Sequence, residues 1–561
     1  MQQKIVIGKV EDVGFANALV RIDRSALEQL QGHPDAALAL SGAVGSQIKI
    51  NVDTMWLLGN VRETRIDTAD GGAILARIDF LGEGDETPDG SLRDFRRGIT
   101  RYPRAGADVA AVNHHDLVQL FGAADTPHIE IGNVYPTSDV RASLLIDSFL
   151  GKHFAIVGST GSGKSTATAL VLHRIIAKAP DGHVVVLDPH GEYAAAFPVN
   201  GMTFNVDNLN LPYWLMNFEE HCEVFITSEG VERELDKAIL AQCILQARTK
   251  NDLASSYVSL TVDSPIPYLL ADLLSALNAQ MGKLSNSNEI ARYVRLKNRA
   301  EEILRDSRYS FMFNHALAND GMKDFLVRIL RLPSAGKPIS ILDLSGVPSD
   351  IIAVVVALVA RIIMDHAIWA RTERQRPVLL VCEEAHHYVP SERVAANSAV
   401  RKILERIAKE GRKYGVALGL VTQRPSDLAE GVLSQCGTII SMRLNNERDQ
   451  TCIRNAMPEG GRSFLDAIPA LRRGESIVSG EGVAIPVRVR FDNLAPDLRP
   501  RSDDPLFSQL WTDVGGESEA LDRTIGRWRS QSDRVTETPV PSSEPLSNLF
   551  LRPGSTVFNP A

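Results

Sequence analysis

The stretch Gly158-Ser-Thr-Gly-Ser-Gly-Lys-Ser-Thr166 decides the fold class of this chain. It follows an apolar, strand-like run at His153–Val157 and precedes a helix-patterned segment that reaches about Ala177. Glycines at this spacing let backbone N–H groups turn inward around phosphate oxygens at a helix start. A flexible glycine and serine turn is the alternative, but the flanking strand and helix favour a phosphate loop. The predicted ATP-binding residues are Gly158, Ser159, Thr160, Gly161, Ser162, Gly163, Lys164, Ser165 and Thr166.

Two residues of this loop have separate predicted tasks. Lys164 is expected to reach the β- and γ-phosphates, and the Ser165 hydroxyl is expected to bind Mg²⁺. ATP and Mg²⁺ are therefore the predicted substrate and cofactor.

A pair of carboxylates follows a second apolar strand, in Pro377-Val-Leu-Leu-Val-Cys-Glu383-Glu384. Ligands of open α/β sheets bind at the carboxyl ends of the strands, where this pair lies. Glu383 is expected to hold Mg²⁺ through water, and Glu384 to polarise the water that attacks the γ-phosphate. A charged strand end that meets solvent is the alternative, and it is less favoured beside a complete phosphate loop.

Two further side chains are candidates for the same reaction. Gln423 ends the apolar run Val416–Thr422 and can contact both the γ-phosphate and the attacking water, although a turn-capping role is equally compatible with the sequence. Arg412 follows an amphipathic helix and could face the nucleotide of a neighbouring subunit. From the residues alone, a solvated cationic helix end is the favoured reading of Arg412.

Three other groups of residues each allow more than one interpretation. Asp188 and Gly191 could orient groups near a nucleotide, but a turn is favoured. His386 and His387 lack a further set of metal ligands at helical spacing and are interpreted as packing or supporting groups. The charge run in the N-terminal region could guide nucleic acid or a partner, although a solvated or subunit-facing surface is more common. Its members are Arg93, Arg96, Arg97, Arg101 and Arg104.

Patterning along the chain predicts an α/β fold with a phosphate-loop core and a mostly parallel sheet covered by helices on both faces. The N-terminal region has short strands with turn residues between them, His128–Val134 being the last, which indicates a small barrel or sandwich. Helical periodicity predicts an inserted helical bundle. The predicted domains are 1–135 (barrel), 136–207 (first part of the core), 208–335 (helical insert), 336–495 (second part of the core) and 496–561 (C-terminal extension and linker). Within that extension, Leu546–Phe558 has enough apolar residues to dock.

The composition excludes several classes of protein. The chain has 561 residues, 44% of them hydrophobic, which is typical of a globular protein. Its longest apolar run, Ile351–Ala360, is shorter than the roughly 18 residues of a membrane-spanning helix, and the N-terminus has no signal-like apolar region. Five cysteines without a Cys-x-x-Cys pair favour a reduced, cytoplasmic chain. The net charge of −9 excludes a generally basic surface but not a local basic channel.

Together these motifs resemble those of HerA-type ATPases in the HerA/FtsK superfamily, over about residues 1 to 495. Besides the phosphate loop, the similar motifs are Leu187-Asp-Pro-His-Gly-Glu-Tyr193, Glu410-Gly-Arg-Lys-Tyr-Gly415, Val421-Thr-Gln-Arg-Pro425 and Phe95-Arg-Arg-Gly-Ile-Thr-Arg-Tyr-Pro103. The phosphate loop is generic, whereas five motifs in this order are specific. One departure is Glu383, where the family usually has Asp. Its extra methylene leaves open whether Glu383 contacts Mg²⁺ directly.

The resemblance implies a RecA-like core that carries an N-terminal small β-barrel and an inserted helical bundle. It also implies a homo-hexameric ring around a DNA channel and ATP-driven DNA translocation. It implies Glu384 as the catalytic carboxylate, Gln423 as the sensor and Arg412 as a finger that acts on the next subunit. It also implies a partner nuclease or a sirtuin-like NAD hydrolase docked on the N-terminal barrel, which is expected to be similar to a HAS barrel, with a role in DNA-end processing or antiphage defence. No membrane contact is expected.

Two alternatives to an ATP-driven DNA translocase remain. One is an ATP-gated ring scaffold that activates an effector without moving DNA. The other, a secretion or conjugation ATPase on a related fold, is least favoured because such proteins usually need membrane contact.

Overall fold

A computed structural model describes most of the chain, in two compact units at residues 1–502 and 503–561. The residues described are 4–67, 72–122, 126–137, 139–374, 376–391, 398–457, 462–501, 507–512 and 518–530.

The N-terminal region forms a closed barrel. Its strands are β1 (Val6–Val13), β2 (Asn17–Ile22), β3 (Gln47–Val52), β4 (Met55–Ile66), β5 (Ile74–Glu86), β6 (Leu92–Arg97) and β7 (Asp108–Ala111), and its helices are α1 (Arg24–Leu30), α2 (Ala36–Ala39) and α3 (His114–Phe121). The antiparallel order β2-β1-β7-β3-β4-β5 closes because β2 also pairs with β5, and β6 extends the sheet from β5. The inward residues of β2, including Val20 and Ile22, are fully buried, as the alternation of a half-buried strand requires. The predicted barrel is confirmed.

An 11-stranded sheet forms the core of the first unit. Its strands are β8 (His128–Val134), β9 (Arg141–Leu145), β10 (Phe154–Val157), β11 (His183–Asp188), β12 (Gly201–Phe204), β13 (Ile339–Asp343), β14 (Val378–Cys382), β15 (Val416–Thr422), β16 (Thr438–Ser441), β17 (Glu475–Gly480) and β18 (Val487–Phe491). The order is β12-β13-β11-β14-β15-β10-β16-β17-β18-β8-β9. The strands from β12 to β16 in this order are parallel, and the remaining pairs are antiparallel. The predicted α/β class is confirmed. Strands β17 and β18 form an antiparallel hairpin.

One strand lies in a different sheet from the one that its sequence predicts. The run His128–Val134 has the length and spacing of the barrel strands before it, but it pairs with β18 and β9 in the core sheet. Alternation of apolar residues shows which faces of a strand are buried and not which sheet receives its edge.

Helices cover the core sheet and form the insert. They are α4 (Ile146–Gly151), α5 (Lys164–Lys178), α6 (Phe218–Phe225), α7 (Gly230–Arg248), α8 (Leu270–Met281), α9 (Ser287–Arg305), α10 (Ser310–Phe313), α11 (Met322–Leu330), α12 (Ile352–Trp369), α13 (Ala399–Tyr414), α14 (Glu430–Leu433), α15 (Glu447–Ala456) and α16 (Arg462–Leu465). Between β12 and β13 the described chain is helical, so the predicted helical insert is confirmed.

Helix α12 is the most apolar of these helices. The segment Ile352–Thr372 is the one candidate among the described residues that is long and apolar enough to cross a membrane, by length and composition alone. In its most apolar window, 56% of the residues are buried inside the protein, and Val355 to Leu358 are fully buried. It therefore packs as a core helix of the α/β layers does, and its polar residues Arg361 and Asp365 form an ion pair one turn apart.

The second unit has two described helices, α17 (Phe507–Leu510) and α18 (Ser518–Ser530). Large apolar side chains of this unit, including Trp511 and Trp528, are exposed. The predicted docking segment Leu546–Phe558 lies outside the described residues.

Candidate functional site

The loop between β10 and α5 has the backbone geometry of a phosphate cradle. Gly161 and Gly163 adopt φ values of +75° and +105°, in the left-handed region that glycine reaches without strain. A Cβ on Gly158 would lie 2.6 Å from Ser162 Oγ and 2.8 Å from Met442 Cβ, so a side chain at this position would disrupt the loop. Helix α5 begins immediately after Gly163, which leaves its first N–H groups free to bind an anion.

Lys164 is the first residue of that helix and is buried, with 7% of its surface exposed. Its positive charge acts on both Glu383 and Glu384 and lowers the pKa of each, against the effect of burial. A cation in the first turn of a helix, directly after the phosphate loop, fits an anionic ligand at this position. The neighbouring Ser165 is half-buried at the start of the same helix.

Glu383 and Glu384 follow β14 directly, at the carboxyl edge of the parallel strands, and both are buried. Glu383 accepts a hydrogen bond of 2.7 Å from the hydroxyl of Tyr193. Burial, and then the charge of Glu384, raises the pKa of Glu383 to about 8, although Tyr193 and Lys164 act in the opposite direction. This raised pKa favours the protonated carboxyl, which is a poorer ligand for a cation than a carboxylate is.

Glu384 has a different environment from its neighbour. Burial acts to raise its pKa, but the hydrogen bond with His386 and the charge of Lys164 outweigh burial and hold the pKa below its ordinary value. Its backbone has a φ of 47°, in the left-handed region that a residue with a Cβ seldom adopts. Glu384 is thus an ionised carboxylate in a strained conformation, and such strain is typical of functional sites.

Gln423 begins the loop after β15 and joins the two sides of the site. The Thr160 hydroxyl donates a hydrogen bond of 2.5 Å to Gln423 Oε1. The backbone N–H of Gln423 donates a long bond of 3.5 Å to Glu384 Oε2. The parallel pairing of β10 with both β15 and β16 brings these loops together. Gln423 thus contacts the phosphate loop through its side chain and Glu384 through its backbone, so it can respond to both.

Asp188 forms the turn that the sequence favours for it. Its carboxylate accepts hydrogen bonds from the backbone N–H groups of His190, Gly191 and Tyr193. Burial raises its pKa, although these hydrogen bonds oppose the shift. The turn also has a second consequence, because it fixes the backbone of Tyr193, whose hydroxyl holds Glu383.

Arg412 lies away from the phosphate loop of its own chain. It is exposed in the last turn of α13, before β15, whereas Gln423 follows that strand. The seven residues of β15 span about 20 Å at roughly 3.3 Å per residue. Arg412 lies near His153, whose pKa is lowered by burial and by the charge of Arg412, and which directly precedes β10. Arg412 therefore lies at the amino edge of the sheet.

The structure also shows the surroundings of other residues that the sequence singled out. His386 Nδ1 lies 3.2 Å from Glu384 Oε2. In the arginine run, Arg97 donates hydrogen bonds to the carbonyls of Gly480, Val483 and Ala484, so it attaches the barrel to the hairpin of β17 and β18.

Reasoning from the sequence missed the roles of Tyr193 and Thr422 in this site. Tyr193 ends a quoted motif, but no local signal pairs it with Glu383. The Thr422 hydroxyl lies 3.1 Å from His386 Nδ1, and this contact depends on the pairing of β14 with β15. The position of Thr422 at a strand end, next to Gln423, was the available signal.

Comparison with known proteins finds a family model and curated relatives that are similar to this chain. Residues 129–363 match the family model described as the central domain of helicase HerA. The DNA double-strand break repair helicase HerA of Pyrococcus furiosus is 28% identical over 528 residues, with coverage of 88% of both chains. The protein of the same name from Sulfolobus acidocaldarius is 25% identical over 435 residues, which covers 76% of this chain and 80% of that protein.

Among solved structures, the chain is similar to VirB4 of Thermoanaerobacter pseudethanolicus. The TM-score is 0.50 at 14% identity, with coverage of 67% of this chain and 99% of that one. At this identity the similarity concerns the fold alone.

Proposed function

We propose that this chain is a HerA-type ATPase of the HerA/FtsK superfamily and that it hydrolyses ATP to translocate or unwind DNA. The observation that carries the proposal is the convergence of three loops at one edge of the sheet. Thr160 of the phosphate loop contacts Gln423, and the backbone of Gln423 contacts Glu384. The charge of Lys164 lowers the pKa of Glu384. The names of the curated relatives, DNA double-strand break repair helicases, support DNA as the substrate.

The site residues divide the chemistry between them. The loop backbone and Lys164 bind the triphosphate and neutralise its charge. Glu384, kept ionised by its surroundings, accepts hydrogen bonds from a water and orients it toward the γ-phosphate. Gln423 connects the position of that water to the phosphate loop through Thr160.

A magnesium ion fits this donor set in part. The Ser165 hydroxyl, at the start of α5, is a suitable oxygen ligand. Glu383 shares its carboxylate with Tyr193 and has a raised pKa, so an indirect, water-mediated contact suits it better than a direct bond. When bound, Mg²⁺ would neutralise charge on the β- and γ-phosphates.

Arg412 supports an oligomeric arrangement. An exposed guanidinium at the amino edge of the sheet cannot serve the phosphate loop of its own chain, but it can serve that of an adjacent subunit. We therefore propose a homo-hexameric ring with DNA in its channel, in which Arg412 of each subunit completes the next site. A partner nuclease or sirtuin-like NAD hydrolase on the N-terminal barrel, in DNA-end processing or antiphage defence, belongs to the same proposal. All five cysteines are free thiols, in agreement with a reducing, cytoplasmic environment.

The test is the ATPase rate of the purified chain with and without duplex DNA over a series of salt concentrations. A translocase should hydrolyse ATP faster with duplex DNA, and the stimulation should decrease as salt screens the phosphate contacts. Intact hydrolysis without any response to DNA at low salt would favour the ring scaffold instead. No hydrolysis by an assembled ring, with DNA supplied, would contradict the proposal.

A further inference from the structure

His386 connects the catalytic carboxylate of the proposed ATPase site to the neighbouring strand. Its Nδ1 atom lies 3.2 Å from Glu384 Oε2 and 3.1 Å from Thr422 Oγ1. The side chains of His386 and Glu384 are each only 9% exposed. A nearly buried contact of this kind is screened little by solvent.

The distances and the proposed role of Glu384 together assign the hydrogen between the two groups. The form of Glu384 that orients water is the carboxylate, whose Oε2 atom can only accept a hydrogen bond. A bare Nδ1 atom would also be an acceptor, and two acceptors 3.2 Å apart would repel each other. Nδ1 therefore carries hydrogen and donates it to Glu384, with Thr422 Oγ1 close enough to share the bond.

Thr422 in turn is attached to the phosphate loop. It is fully buried at the end of β15, and its carbonyl accepts a hydrogen bond of 3.3 Å from the N–H of Gly158. Its hydroxyl also accepts a bond of 3.1 Å from the N–H of Arg424. A continuous path of contacts thus runs from Glu384 through His386 and Thr422 to the first residue of the phosphate loop.

Glu384 needs such support for two reasons. Its backbone lies in the strained left-handed region, where a conformation persists only when the surrounding structure holds it. A carboxylate that orients water must also stay within about 0.5 Å of its working position relative to the phosphates. The bond from Gln423 N–H, at 3.5 Å, is too long to supply this alone.

We propose that His386 is a positioning residue for ATP hydrolysis, which holds the Glu384 carboxylate at a set distance from the phosphate loop through Thr422. This inference rests on the proposed ATPase function and deepens it. It assigns to His386 no contact with nucleotide, so nucleotide binding should not depend on it. Its effect should appear in the hydrolytic step only.

The test compares substitutions that differ in where they place an N–H group. Asparagine has its amide at the position of His Nδ1, whereas glutamine has it one bond farther out. We expect His386→Asn to keep much of the wild-type kcat, and His386→Gln and His386→Ala to lose about 10- to 100-fold, as loss of a supporting contact commonly does. ATP affinity, measured by equilibrium binding, should change less than about 2-fold in all three.

Two controls accompany these variants. The ring of His387 lies beside that of His386, with centroids 4.2 Å apart, but His387 is exposed. His387→Ala should therefore leave kcat nearly unchanged. In the Glu384→Gln background, His386→Ala should cause no further loss, because a residue that acts only through the carboxylate has no effect once it is neutralised. Thermal unfolding midpoints of all variants report whether the fold is kept.

Three outcomes would overturn the proposal while wild-type hydrolysis is intact. They are wild-type kcat in His386→Ala, glutamine at least as active as asparagine, and a loss of ATP affinity as large as the loss of kcat. If His386→Gln were more active than His386→Asn, the role of His386 would be to fill space and not to donate a hydrogen bond from Nδ1. Absence of hydrolysis in the wild-type ring would overturn the proposed function and this inference together, so the two failures are distinguishable.

Discussion

The Thr160 hydroxyl donates a hydrogen bond of 2.5 Å to Gln423 Oε1, across the adjacent parallel strands β10 and β15. This bond connects the phosphate loop to the loop that also contacts Glu384. A change in the position of the γ-phosphate can therefore reach the end of β15 through a single side chain. The arrangement gives a physical basis for a sensor role of Gln423.

Gln423→Ala should lower kcat by about 100-fold, because removal of one polar group that stabilises the reacting centre commonly costs this much. ATP binding should remain within about 3-fold of wild type, since the phosphates are held by the loop backbone and Lys164. Steady-state hydrolysis and equilibrium binding measure the two effects. The control is Gln435→Ala, an exposed glutamine, and equal losses in both variants would contradict the prediction.

Lys164→Ala should abolish tight binding of ATP, because it removes the buried cation that opposes the phosphate charge. Fluorescence of a labelled nucleotide gives the affinity. Lys178, exposed at the other end of α5, supplies a control of the same residue type, and Lys178→Ala should bind normally. Unchanged affinity in Lys164→Ala would mean that the triphosphate binds elsewhere.

Rings that mix Arg412→Ala with Glu384→Gln subunits should recover hydrolysis. Each homogeneous ring should be nearly inactive, since one lacks the finger and the other the carboxylate. In a mixed ring, an intact Arg412 can complete the site of a neighbour that retains Glu384, so activity should rise to a fraction set by the mixing ratio. Mixed rings that assemble without recovered activity would contradict action between subunits.

Stability should depend on pH through Glu383. Its pKa is raised by burial from the ordinary 4.5 to about 8, so between these values the folded chain binds more protons than the unfolded chain. The free energy of unfolding must then decrease as pH rises through this window, with the loss complete above about pH 8. Glu383→Gln should show a weaker decrease in the unfolding midpoint of nucleotide-free protein.

The exposed Glu430 serves as the control for that experiment, and Glu430→Gln should follow the wild-type pH profile. Identical profiles for Glu383→Gln and the wild type would show that Glu383 does not hold a proton in the folded chain.

Arg97→Ala should destabilise the nucleotide-free protein by about 1 to 2 kcal/mol, because three carbonyls lose a charged donor that is partly accessible to water. The adjacent Arg96 forms a solvent-exposed ion pair with Asp85 at 3.6 Å, and such pairs contribute little to stability. Arg96→Ala should therefore change the free energy of unfolding by less than about 0.5 kcal/mol. Urea unfolding midpoints compare the two variants. Equal effects would mean that Arg97 does not attach the barrel to the hairpin.

Much of the site could be predicted because its parts are local. The phosphate loop, Glu384 and Gln423 each directly follow an apolar strand, and parallel strands place their carboxyl ends at one edge. For the strand at His128–Val134, the sequence predicted the strand but not the sheet to which it belongs. Its alternation indicates a strand, but its partners in the core sheet are distant in sequence.

The amino-acid sequence by itself determined the phosphate loop, the α/β core, the helical insert and the residues at the strand ends, because glycine spacing and hydrophobic periodicity act within a few neighbouring residues. Only the tertiary structure decided that Tyr193 holds Glu383, that His386 reaches Thr422, and that Arg412 faces away from its own phosphate loop. These relationships depend on strand order and register, which bring together side chains far apart in the chain and which no local pattern encodes.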